Sequence, residues 1–146
     1  MNNLEQEKIM GEIKTILNDQ DSTNHINKLL EIEKKYPNDV VLKQAISQTY
    51  LRLSKNTEAL KYINDANKLS PDNYAIKYTL GMLYKKFKKY DEAISFFKES
   101  IKLNSKFKEG LNILADIYYN KKEYQTSANY YQRSTNLDKT KNNLFA

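Results

Sequence analysis

Apolar residues between Ile76 and Ile101 fall into two blocks, each with the three- and four-residue spacing of one helix face. Ile76, Leu80, Leu83, Tyr84 and Phe87 form the first stripe; Ala93, Ile94, Phe97 and Ile101, with Phe96 at its edge, form the second. The stretch Lys88 to Tyr90 between them has room for a tight turn only, so the two helices are expected to pair as an antiparallel hairpin. Two positions inside the stripes are small, Gly81 and Ala93. Packed helices approach to about 8 Å only where the side chains at the crossing are small. Gly81 and Ala93 are therefore expected to mark the crossing, and Ser100 the approach to the next helix.

The same pattern recurs. Tyr50, Tyr84 and Tyr118 are spaced by 34, and that shift also carries Ile46 to Leu80 and Leu114, and Ser47 to Gly81 and Ala115. It carries Ala59 to Ala93 and Ser127, Ala66 to Ser100 and Ser134, and Leu69 to Leu103 and Leu137. A period of this length is the mark of an array of supersecondary units. Helix starts agree with it: Asn38 or Asp39 follows Pro37, and Asp72 or Asn73 follows Pro71, offering oxygen acceptors to the free amides of a first turn.

These columns resemble the tetratricopeptide repeat family. One unit reads Lys77-x2-Leu80-Gly81-x2-Tyr84 and then Ala93-x3-Phe97; its neighbours read Ile46-Ser47-x2-Tyr50 with Ala59-x3-Ile63 and Pro71, and Leu114-Ala115-x2-Tyr118 with Ser127-x3-Tyr131. The family's Trp is missing, and Ser105 and Lys139 replace its closing Pro. The resemblance implies an all-α, right-handed superhelical solenoid of about eight helices in antiparallel pairs. Its parts would be a degenerate first hairpin over 1–39, repeats over 40–73, 74–107 and 108–141, and a tail over 142–146. His25 stands where later units carry Ala or Ser, so looser packing is expected in the first pair.

In the family the first helix of each unit lines a concave face. By that resemblance Val41, Gln44, Gln48, Leu51 and Arg52 would face the groove, then Ala75, Tyr78, Met82, Lys85 and Lys86, then Glu109, Asn112, Asp116, Tyr119 and Asn120. Three such helices would make a trough on the order of 30 Å long, room for an extended peptide or one amphipathic helix. Tyr78 and Met82 would be its anchors. The family's clamp for acidic chaperone tails needs Lys and Asn at set positions. Here they are Gln44, Gln48, Thr79, Glu109 and Ile113 in one register, and Met10, Lys14, Ala45, Ala75 and Thr79 in the other, so no clamp is assembled. The implied function is a non-catalytic interaction module, of scaffold or assembly type, for a peptide or partner protein.

Composition adds exclusions. The 146 residues contain no Cys and one His, with no Gly-rich phosphate loop. That removes thiolate metal sites and cysteine nucleophiles and argues against an enzyme, a cofactor or a small-molecule substrate. The acids and amides of the first residues do not form a secretory leader, and no apolar run spans a bilayer, so a cytoplasmic protein is expected. The net charge is +6. The lysines at 85, 86, 88, 89, 121 and 122 offer an alternative reading, electrostatic binding of nucleic acid or anionic lipid. Lysine-rich turns are ordinary in helical repeats, however, and Phe87 and Tyr90 among them read as core. After Leu137 little chain remains to cover the last repeat. The face around Ile117, Ala128 and Tyr131 is expected to be left exposed, to be covered by Leu144 and Phe145, or to seat a second copy.

Overall fold

The computed structural model describes residues 2–143, with side chains through 140. Its helices are α1 (Asn3–Asn18), α2 (His25–Lys35), α3 (Val40–Arg52), α4 (Asn56–Leu69), α5 (Tyr74–Lys86), α6 (Tyr90–Leu103), α7 (Lys108–Asn120) and α8 (Tyr124–Asn143), with one 3-10 turn at Ser22–Asn24. No strand occurs among the described residues. The chain divides into two compact units, one running to Pro71 with α1–α4 and one starting at Asp72 with α5–α8.

Side chains cap the starts of α1, α3 and α5. Asp39 accepts the Leu42 amide at 2.8 Å, and its second oxygen takes the Gln6 side-chain amide at 3.1 Å. Asn73 accepts the amides of Ala75 and Ile76. Helix ends follow a rule that the residue types conceal. Ser54, Lys88 and Lys122, again 34 apart, have φ of 59°, 60° and 64°. At each, the next residue's amide reaches back to a tyrosine carbonyl at 2.9 Å, Lys55 to Tyr50, Lys89 to Tyr84 and Glu123 to Tyr118. This is the Schellman closure usually built on Gly. The turn after α5 is Phe87 to Lys89, one residue earlier than expected, with Tyr90 already helical. Phe87 and Tyr90 are 38% and 48% exposed rather than core, because they flank that reversal instead of lying on the helix faces that meet.

The hairpins close on their small residues. The Ser47 hydroxyl donates to the Ala59 carbonyl and that of Ser127 to the Ala115 carbonyl, both at 2.7 Å, so the paired backbones lie one hydroxyl apart. In α5–α6 the same columns are Gly81 and Ala93, and the space above Gly81 is filled by the ring of Phe97. Ser100 donates to the Tyr74 carbonyl at 2.8 Å, within its own hairpin. A second ladder follows the period: ring pairs Tyr50–Tyr62, Tyr84–Phe96 and Tyr118–Tyr130 lie 5.8, 5.2 and 5.8 Å apart.

Each unit has its own core. Ile9, Ile13, Leu29, Leu42, Ala45 and Ile46 form that of the first; Ala93, Ile94, Phe97, Ile101, Leu111, Leu114, Ile117 and Tyr118 form that of the second. His25 is buried, with Nε2 3.0 Å from the Asp19 carbonyl oxygen. An open cleft of about 650 Å³ separates parts of α1 and α2 around Gly11, Ile16 and Ile32. Ile117 belongs to the core and not to an exposed end face, whereas Ala128 and Tyr131 are exposed. Helix α8 continues past Leu137 to Asn143, and Leu144 and Phe145 lie outside the described residues.

Candidate functional site

In the first unit Val41, Gln44 and Gln48 come together from α3. They line a cleft of about 270 Å³ with Ala45 and with Met10, Ile13, Lys14 and Leu17 from α1. Its floor is apolar, since Ile13 and Ala45 are buried in the core and Val41 and Leu17 pack against it. The polar rim consists of two amides four residues apart, hence on one face of α3, and the ammonium of Lys14. Lys14 has no ion pair among the described residues. Arg52 lies outside this cleft, at the end of α3, with a long contact of 3.4 Å to the Thr49 hydroxyl. The α1 residues were absent from the sequence-based set. The signal was present, because the 34-residue shift carries Gln44, Gln48 and Leu51 back to Met10, Lys14 and Leu17.

In the second unit the expected residues divide by burial. Tyr78 is half-buried, its ring 5.6 Å from Phe97 and 5.0 Å from Phe107, the residue that precedes α7. Burial, and then the charge of Glu109, push its phenol above the usual range. Met82 packs against the core beside it. Lys85 reaches a separate cleft of about 350 Å³, shared with Tyr90, Asp91, Ile117, Asn120 and Lys121. Lys86 is exposed and Asn112 half-buried.

Asp116 and Tyr119 lie one turn apart on α7 and are exposed. The Tyr131 hydroxyl of α8 donates to the Asp116 carboxylate, and this bond, followed by burial, raises the Tyr131 pKa. Tyr119 stands edge-on to Tyr124 at 5.3 Å. Tyr124 and Tyr131 were also missing from the sequence-based set. Position 131 corresponds to the fully buried Phe97, which shares a core with Leu111 and Leu114 of the helix that follows it; α8 is the last of the described helices, and Tyr131 is 41% exposed.

No group of three or more His, Cys, Asp or Glu able to hold a metal occurs among the described residues, and no helix there is long and apolar enough to cross a membrane. The arrangement offers clefts, amides, rings and isolated charges, which bind by shape and hydrogen bonding.

The comparisons with known proteins agree with this architecture. Residues 18–100 match the family model described as "Anaphase-promoting complex, cyclosome, subunit 3", and residues 109–141 match "Tetratricopeptide repeat". No curated protein gives a sequence match. Among solved structures, "Crystal structure of MamA" superposes with a TM-score of 0.82 at 15% identity, over 94% of this chain and 80% of that one. A MamA from Desulfovibrio magneticus RS-1 gives 0.80 at 16% identity, over 92% and 76%. At such identities the neighbours speak for the fold, and the family models speak for the sequence. Both models describe tetratricopeptide repeats and the first alone spans more than half of the sequence, so this chain belongs to the tetratricopeptide-repeat family.

Proposed function

We propose that the chain is a non-catalytic binding module that takes a segment of a partner protein on the faces of its first-in-pair helices. The observation that carries this reading is the α1/α3 cleft. An apolar floor of Ile13, Leu17, Val41 and Ala45 lies under a rim of Gln44, Gln48 and Lys14. A peptide laid there would bury an apolar side chain on the floor, while the two glutamine amides, each both donor and acceptor, would meet its backbone. Met10 adds a flexible wall that adapts to side chains of different shape. The scaffold or assembly role follows from this chemistry: recognition with no reacting group.

A photo-crosslinking residue placed at Gln48 tests it, with the same residue at Lys61 on the exposed side of α4 as control. The expected result is one partner captured from Gln48 and not from Lys61, and lost when Val41 is changed to Glu. Equal labelling from both positions would reject the reading. A second copy of the chain is one partner that the experiment can return, recognisable by mass.

A further inference from the structure

Three exposed rings gather at the α7–α8 hairpin of the second unit. Tyr119, Tyr124 and Tyr131 are 58%, 56% and 41% exposed; Tyr131 donates its hydroxyl to the Asp116 carboxylate, Tyr119 lies one turn from Asp116, and Tyr124 stands against Tyr119. Exposed aromatic rings in one patch mark interaction surfaces more often than scattered single ones do. Asp116 has no ion pair among the described residues. Of the cations at this end of α7, Lys121 lies over the Tyr118 ring at 5.8 Å and Lys85 shares a cleft with Asn120 and Lys121; neither is paired with Asp116.

The repeat itself supplies a comparison. At the positions of Asp116 and Tyr119, α3 carries Gln48 and Leu51 and α5 carries Met82 and Lys85. The following residue is Arg52 in α3 and Lys86 in α5, but Asn120 in α7. One of the three copies therefore reverses the sign of a chain whose net charge is +6, and it adds rings at the same place.

We propose that Asp116, Tyr119, Tyr124 and Tyr131 seat an arginine side chain from a basic segment of a protein partner. This rests on the reading of the chain as a protein-binding module and names the chemistry of one of its contacts. A guanidinium is planar, stacks on a tyrosine face and donates in parallel to a carboxylate. The Tyr131 hydroxyl occupies part of one Asp116 oxygen and leaves the remaining acceptor capacity for the ligand. An acidic or purely apolar segment would meet an uncompensated carboxylate.

The test uses the full chain, labelled for amide NMR, and three synthetic peptides: acetyl-Gly-Arg-Gly-Arg-Gly-amide and its citrulline and glutamate counterparts. Citrulline keeps the shape of arginine and removes its charge. The expected result is saturable shifts centred on Asp116, Tyr119, Tyr124 and Tyr131, with arginine favoured over citrulline by about two- to fivefold, the size of one cation–ring contact at an exposed site. Asp116→Asn and Tyr119→Ala should each remove most of that preference without changing the circular dichroism. Equal binding of the citrulline peptide, shifts centred elsewhere, or no saturable shift would overturn the proposal. Capture from Gln48 with no response at Asp116 would sink the arginine seat and leave the binding module standing. The reverse outcome would leave the seat and remove the α1/α3 cleft.

Discussion

At Gly81 the missing side chain is a packing requirement. Three atoms of the Phe97 ring stand 2.6–2.9 Å from where a methyl group would be, and that ring is fully buried and cannot yield. Gly81→Ala should destabilise the protein by about 1–3 kcal/mol, read as a lower urea midpoint. The opposite holds at Lys88, whose φ of 60° strains any residue with a Cβ. Lys88→Gly should raise stability by about 0.5–1 kcal/mol, since the left-handed conformation costs glycine little. Tyr62 supplies a pH signature. Burial first, and then its hydrogen bond to Glu33, raise its pKa from the ordinary 10.0 to about 12. The unfolded chain releases this proton near pH 10 and the folded chain holds it longer. The associated stability is therefore whole below pH 10 and is lost as pH rises through 12. Tyr62→Phe should flatten the decline of stability over that window in a pH series of urea melts.

Helices here are legible one by one, and their joints are not. The stripes from Ile76 and from Ala93, the 34-residue period and the caps, to within one residue at Asn38 or Asp39 and at Asp72 or Asn73, were readable because each depends on spacing or on an acceptor next to a helix start. Phe87 and Tyr90 misled, since an apolar side chain at the edge of a periodic run looks the same whether the chain continues or reverses. The reversal rests on left-handed Ser54, Lys88 and Lys122, none of them the glycine that would have announced it. Hydroxyls serve the hairpins in the same concealed way. Ser47→Ala and Ser127→Ala would each remove the hydroxyl bond from a carbonyl that keeps its helical amide donor, and should cost about 0.5–1.5 kcal/mol by denaturant titration.

Two cores in one chain predict two levels of response to damage. Phe97 is the largest fully buried side chain and belongs to the core of the second unit. Phe97→Ala should cost about 3–5 kcal/mol there. Stability in repeat architectures is a sum of local terms. Hydrogen exchange should therefore quicken through α5–α8 well before the amides of α1–α4 lose protection. The candidate binding residues divide along the same lines. Val41, Gln44 and Gln48 were expected on one face of α3 from the family's geometry, and the cleft that they line adds Met10 and Lys14, one period earlier. Tyr131 was expected at an exposed face, but its bond to Asp116 and the Tyr119–Tyr124 contact join side chains of two different helices, which a linear pattern does not record.

By itself the amino-acid order determined the helices, their pairing and the family. Each of these follows from periodic burial and local hydrogen bonding, which a linear pattern records. Tertiary structure alone decided that Gly81 lies beneath Phe97, that Ile117 is core, and that Asp116 meets a tyrosine fifteen residues away. Those outcomes depend on the room left between two helix backbones, and the volume of one side chain is settled only by what faces it across that gap.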